Sequence, residues 1–400
     1  MTDTSRRPRA SSWGDASDVL RLLLDRGEWT RSDIARTLSL SRSTIALRLD
    51  ALRDAGLLRD AGRLAPEGGR PTTKIALNDA VRSVAAIELG HSSSRVSLAD
   101  LGACPRGTVE LPVAQTDGFE QILRAASEGL RTLLREQAER LGPLSGVTLG
   151  VPLSAKVGAV GMRNPSGQTG WASFPAQEWL QEELGVPVHV ENDVNLMVLG
   201  EQLEVFPDAR DLILLHAGDG IGLGVMADGA LIRGAAGQAG EIAHVPALRD
   251  NDEQCLCGNI GCLGAVATLP AILKMLRGEG VDIDSIEGLT SAVAAGDARA
   301  GRAVRQAGRD VGDVVAYAIA TTNPGLLVVG GELSAVGDHF VAGVKESLFR
   351  RGAPALTDGL HVTRSSRSAG AGTLGALRLA ADGVLAGRAL FDLLGTSSAN

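Results

Sequence analysis

His244, Cys255, Cys257 and Cys262 are the side chains in this 400-residue chain whose types and spacing most plainly suggest chemistry, and they include three of its four cysteines. Thiolate sulfur and imidazole nitrogen are the preferred donors to zinc, and four of them at short loop spacing can close a tetrahedral structural site. Gly258 and Gly261 lie within the loop, where a chain folding back on one ion needs backbone freedom. The competing reading is three buried cysteines without metal, or a redox pair. The Cys-x-Cys-x4-Cys spacing with an upstream His favours one structural zinc per chain.

A second constellation lies at 191–195, Glu-Asn-Asp-Val-Asn, where a strand runs into a helix. The Asn192–Asp193 pair offers donors and acceptors suited to vicinal hydroxyls, and the carboxylate is a candidate general base. The same pair at a strand end can equally be a helix cap.

The remaining sequence must position these groups. Residues 1–14 read as a disordered basic tail, and 15–80 as a small DNA-binding domain. Asp18 to Arg26 has helical apolar spacing at Val19, Leu20, Leu23 and Leu24. Thr30 is a cap for a second helix, with Asp33 three residues on, and Ser39-Leu40-Ser41 is a turn. Ser41 caps a third helix that buries Ile45, Leu49 and Leu52 and is closed by Gly56. Leu57–Leu64 and Glu67–Leu77 then form a hairpin, giving a winged helix-turn-helix. Its candidate DNA contacts are Ser41, Arg42, Ser43, Thr44 and Arg48 on the third helix, with Arg70 and Lys74 in the wing. Hydroxyls and helix-end amides suit phosphates, and arginine suits guanine or phosphate.

Charge supports this division. Residues 1–80 carry 14 Arg+Lys against 11 Asp+Glu, and the remainder 25 against 36, so a basic head sits on an acidic body. Scarce aromatics, with one tyrosine, argue against stacking on single-stranded nucleic acid. No apolar run of about 18 residues and no signal-like N-terminal segment occur, which gives a cytoplasmic expectation with no membrane contact.

Beyond the junction at 78–81, strands are expected at 83–89, 94–99 and 107–113, then a helix at 119–141 and a strand at 146–151. A second opening follows at 211–216, 218–226 and 229–233, with a later strand at 326–329. Two halves opening on three strands indicate a duplicated α/β body with a cleft between lobes, a favoured place for a ligand. This body spans 81–386, followed by a tail at 387–400, and the 163–167 loop with Trp171 is a further polar candidate for the cleft.

The winged helix-turn-helix, Glu191–Asn195, Ala217-Gly-Asp-Gly-Ile-Gly-Leu-Gly224, Gly237-Gln-Ala-Gly-Glu-Ile-Ala-His244 and the Cys255–Cys262 loop together resemble the ROK family of repressors, open reading frames and sugar kinases. The resemblance covers roughly residues 17–383. It implies a two-lobed, actin-like, sugar-kinase-type body, assembly as homodimers or homotetramers, and zinc ligands at His244, Cys255, Cys257 and Cys262. It also implies sugar contacts at Asn164, Asn192, Asp193, Glu241 and His244, with Asp193 at the catalytic-base position of the kinases.

Departures from the kinase pattern argue for a regulator. The first phosphate hairpin has His91 and Ser92 where kinases have Gly and Thr, the second has Asp219 for Thr, and Gly264 replaces a sugar-binding Glu. A carboxylate about 4 Å from a phosphate is repelled by roughly 4 kcal/mol at an effective dielectric near 20. The expectation is a non-enzymatic transcriptional regulator, a repressor of sugar-related genes on a palindromic operator, with a possible sugar effector in the cleft. The alternatives are an ATP-dependent sugar kinase bearing a DNA-binding head and a regulator that has lost its effector.

Overall fold

Thr30 and Ser41 determine where two of the N-terminal helices begin. Each has extended backbone, and each hydroxyl accepts an amide hydrogen three residues on, from Asp33 at 3.2 Å and from Thr44 at 3.1 Å. Such a cap is worth about 1 kcal/mol. In this computed structural model, residues 16–64, 72–90, 94–112, 118–152, 174–367, 370–386 and 390 are described. The basic tail, Arg70, His91, Ser92, the 163–167 loop with Asn164, Trp171 and nearly all of the 387–400 tail lie outside them.

Helices α1 (Ala16–Arg26), α2 (Arg31–Thr37) and α3 (Arg42–Asp54) pack with a three-stranded sheet of β1 (Trp29–Thr30), β2 (Leu58–Leu64) and β3 (Thr72–Leu77), in the order β1-β3-β2. The inward stripe is the expected one: Val19, Leu20, Leu23, Ile34, Ile45, Leu49 and Leu52 are all buried. Ser39 adopts φ 52° in the turn between α2 and α3.

The head is not on a loose linker. Leu57, Ile75 and Leu77 share one apolar cluster with Leu377, Ala381, Val384 and Leu385 of the C-terminal Ala371–Val384 helix segment and its end. At the junction, Leu101 N–H donates to Asp79 O at 3.0 Å and Gly142 N–H to Ala80 O at 2.8 Å. Main-chain bonds and buried apolar area therefore fix the head on the body.

The body contains the same sheet twice. Strands β4 (Ser83–Leu89), β5 (Ser94–Asp100), β6 (Pro105–Leu111), β7 (Leu144–Val151) and β8 (Val188–Asn192) are ordered β6-β5-β4-β7-β8. Strands β9 (Leu212–Ala217), β10 (Ile221–Ala227), β11 (Ala230–Leu231), β12 (Leu326–Gly330) and β13 (His361–Arg364) are ordered β11-β10-β9-β12-β13. In each sheet the first three strands are antiparallel, and the fourth and fifth are added in parallel. The fold is thus a winged head followed by a duplicated, two-lobed α/β body.

Three features differ from the expected elements. The third strand of the second half is only two residues long, because Arg233 leaves the sheet to pair with Glu191 of the first half at 2.6 Å. The first long helix stops at Glu136 rather than near 141. The chain also returns to the first lobe at its end, where the 371–384 helix packs on the Asp193–Glu204 helix. Gly200 and Gly375 permit that crossing: a Cβ on Gly200 would lie 1.8 Å from Ala371 O, and one on Gly375 2.0 Å from Leu196 O. No described helix is long and apolar enough to cross a membrane.

Candidate DNA-binding, cleft and metal sites

At the start of α3, Ser41, Arg42 and Ser43 are exposed and Thr44 is half-buried. The Ser41 hydroxyl lies 2.9 Å from that of Ser43 and 2.8 Å from that of Thr44. A hydroxyl cluster over the free amides of a helix N-terminus is suited to a phosphate. Arg48 departs from the expected outer face. It is only 8% exposed, because it falls one turn after Ile45 and beside Leu49, at the margin of the buried stripe. Leu47 is the outward residue instead, 74% exposed. It stands one turn beyond Ser43 and Thr44, and an apolar side chain there fits a thymine methyl in the major groove. The one-residue phase of the stripe was the signal for it.

Lys74 lies on the wing strand β3. Its ammonium is 3.1 Å from Glu28, on the strand beside β1 rather than at the wing tip. Any phosphate contact from Lys74 would compete with that ion pair.

In the cleft region, β8 delivers Glu191 and Asn192 to the start of the 193–204 helix. Asn192 is a helix cap: its Oδ1 accepts from Val194 N–H at 2.9 Å and Asn195 N–H at 3.2 Å. The capping alternative for Asn192 therefore holds, and Asp193 Oδ1 likewise accepts from Val194 N–H at 2.8 Å. Burial, opposed by His216 and the helix-start amides and aided by Glu241, pushes the Asp193 carboxyl up to about 6.

Glu191 is the opposite case. Burial raises its pKa, but the polar groups around it, His189, Asn195 and Arg233, outweigh burial and hold the carboxyl at about 2. Asn195 Nδ2 donates to Glu191 Oε1 at 2.9 Å and Arg233 Nε to Oε2 at 2.6 Å. His189 Nε2 is 3.7 Å away, a close charge-facing approach beyond hydrogen-bond length. This pair joins the two halves of the body.

The two phosphate-type turns carry acidic groups. Asp219 is exposed on the Gly218–Gly220 turn. Glu332 reaches the same turn, so that its carboxylate occupies the place where a Cβ on Gly218 would sit, 1.8 Å away, and lies 4.0 Å from His216 Nε2. At the first hairpin, the Thr373 hydroxyl donates to Glu88, whose carboxyl burial pushes up. Glu332 was not legible from spacing, since it comes from the far side of β12.

The four predicted metal donors converge. The ligand atoms of His244, Cys255, Cys257 and Cys262 all lie within 4.8 Å of one another. His244 Nδ1 is 3.5 Å from Cys255 Sγ, and Cys257 Sγ is 3.7 Å from Cys262 Sγ. The loop is closed by pairing Pro246 with Cys262 and Gln254 with Ile260. Burial pushes the Cys262 thiol up to about 12, a preference that a coordinated divalent ion would invert by deprotonating it. His244 ends the short Ile242–His244 turn that Glu241 begins, so one turn carries both residues. At Gly264, a Cβ would sit 3.2 Å from Ala243 O and 3.3 Å from Ala243 Cβ, closer than an ordinary contact.

Comparison with known proteins agrees with this architecture. The ROK family model matches residues 84–383, and a helix-turn-helix domain model matches residues 15–61. A xylose repressor of Caldicellulosiruptor bescii is 26% identical over 348 residues, covering 83% of this chain and 86% of its own length. A glucokinase of Halalkalibacterium halodurans is 30% identical over 282 residues, 66% of this chain and 85% of its own. The crystal structure of a ROK family transcriptional regulator, a homologue of the Escherichia coli Mlc protein, superposes with TM-score 0.80 at 22% identity. It covers 96% of this chain and 99% of its own.

Proposed function

The chain belongs to the ROK family, and from that premise we propose that it is a DNA-binding transcriptional regulator, a repressor of sugar-related genes, and not a kinase. One observation carries this reading: a capped helix-turn-helix shares a buried apolar core with the C-terminal helix of the body. A head fixed in that way can transmit movement of the body to DNA. In a homodimer or homotetramer, two α3 helices would address half-sites about 34 Å apart, or a multiple of that, on one face of a palindromic operator. Xylose-repressor and N-acetylglucosamine-repressor relatives support the sugar-gene assignment.

The proposed effector is a sugar or sugar derivative held between the lobes by Asp193, Glu241 and His244, with Asn164 and Asn192 as further candidates. Carboxylates at Asp219 and Glu332 on the turn where a nucleotide phosphate would lie speak against ATP use. Zinc fits the Cys-His cluster. Metal–ligand bonds of about 2.3 Å to sulfur and 2.0–2.1 Å to nitrogen give tetrahedral edges of about 3.8 Å between sulfurs and 3.5 Å between sulfur and nitrogen. The observed 3.7 and 3.5 Å separations agree with those edges. Bound zinc would hold the loop that carries Glu241 and His244, supplying structure rather than reactivity.

A footprint on the upstream region of its own gene tests the regulator. Selective protection at physiological salt supports it, and uniform weak binding to every fragment contradicts it. One observation favours the kinase reading, the elevated Asp193 carboxyl, which suits a general base. ADP release over a hexose and amino-sugar panel, lost in Asp193→Asn, would establish that alternative.

A further inference from the structure

A cavity of about 410 Å³, lined by none of the cleft candidates or metal-ligand candidates, lies between the Ala298–Thr322 helix, the His339–Arg351 helix and the segment at Leu248–Arg249. Its polar lining is layered. Underneath are two carboxylates whose side chains are nearly out of reach of solvent, Asp310 at 3% and Asp313 at 10% exposure. Above them, each between about one-third and three-fifths exposed, are the guanidinium groups of Arg249, Arg309, Arg350 and Arg351.

The carboxylates do not use up these donors. Arg249 holds Asp310 through Nε and one Nη, at 3.2 and 2.9 Å, and Arg351 holds Asp313 with two contacts at 2.5 and 3.0 Å. Arg350 touches Asp313 through a single 3.4 Å contact and Ser347 at 3.0 Å. Arg309 pairs with Glu346 through one end of its fork at 3.0 Å, while its Nε is a buried donor with no partner. An arginine carries five N–H groups and no acceptor, so Arg309 and Arg350 retain donors that only an acceptor-rich ligand can satisfy. Four guanidiniums line the cavity against three carboxylates; Asp310 and Asp313 lie beneath, while Glu346, 35% exposed, stands level with Arg309, so the lining carries one net positive charge.

We propose that this cavity is an anion site for a small phosphate-bearing molecule, separate from the interlobe cleft. The volume is in the range of small-ligand pockets, and planar forks of this kind suit a phosphate with paired N–H···O bonds. The site does not depend on the cleft's occupant or on DNA binding, so its test uses neither.

The experiment is thermal unfolding and calorimetry of the full-length protein with inorganic phosphate and with pyrophosphate, against chloride at matched ionic strength. Saturable stabilisation by phosphate or pyrophosphate is expected, weakened about tenfold or more in Arg350→Gln. That variant leaves Arg351 on Asp313, so folding is retained. Arg309→Lys keeps charge but loses the fork and is expected to weaken binding as well, while Asp193→Asn in the cleft leaves it unchanged. Three results would overturn the proposal: no saturable effect beyond chloride, an effect equal in all three variants, or binding of polyglutamate with none of phosphate. The last would make the surface an acidic-polypeptide site.

Discussion

In the N-terminal head, charged groups other than Arg48 lie mostly outside an apolar core. Its ion pairs, such as Arg36–Asp33 and Arg31–Asp50, are mostly solvent-exposed, and its ends are fixed by the neutral caps Thr30 and Ser41. Around the cleft and metal loop the arrangement is reversed. Glu191 and Asp193 are drawn inward with oppositely shifted carboxyls, and three cysteines and a histidine converge on one point. Exposed pairs contribute little, whereas buried charges and metal ligands respond to pH and to the ion. The head is therefore expected to be indifferent to proton and metal concentration, and the body to be sensitive to both.

Removing the metal is the strongest way to break that contrast. Chelation, or Cys257→Ser, is expected to destabilise the body by more than about 3 kcal/mol. Elemental analysis should find about one zinc per chain beforehand, and a carefully purified, reduced sample without metal would refute the site.

Next in size is Arg233→Ala, which leaves Glu191 buried without its ion-pair partner. Since Arg233 is 36% exposed, the cost is discounted to about 2 kcal/mol. Glu191 has a depressed folded-state pKa, so its stabilisation is present above 4.5 and is lost as pH falls towards 2. The gap between wild type and variant in chemical denaturation should close over that window. A gap that stays constant with pH would show that the pair does not carry it.

Asp193→Asn sharpens the comparison with the opposite sign. An acid whose pKa rises on folding, here from 3.8 to about 6, costs stability as pH climbs through that interval and keeps that cost above it. The variant should therefore be more stable than wild type by about 1 to 2 kcal/mol at pH 7.5, with the advantage gone at pH 3.5. Smallest is Ser41→Ala, expected to cost about 1 kcal/mol at any pH, read as a lowered denaturant midpoint.

Legibility in the sequence followed the range of the interactions. Thr30, Ser41 and the buried stripe of α3 depend on neighbours within one turn, and their placement could be read directly. The Cys-His loop is also local, so its convergence followed from spacing. Arg48 and Leu47 differ by one step of a helical wheel, and the phase of the Ile45, Leu49 and Leu52 stripe puts Arg48 at its margin and Leu47 on the opposite side. The Glu191–Arg233 pair joins two sheets, and Glu332 reaches the Gly218 turn from beyond β12. No periodicity within either segment marks such partners. Asn192 was open between cap and ligand for the same reason: its side chain is suited to both, and geometry assigned Oδ1 to the cap.

Quantitative footprinting of the purified, metal-loaded protein tests the account most directly, on fragments from upstream of its own gene at physiological salt. Protection of a palindromic site with half-sites about one or more helical turns apart is expected, weakened by substituting Arg42 or Ser43. Uniform, sequence-independent binding, or protection unaffected by those substitutions, would contradict it.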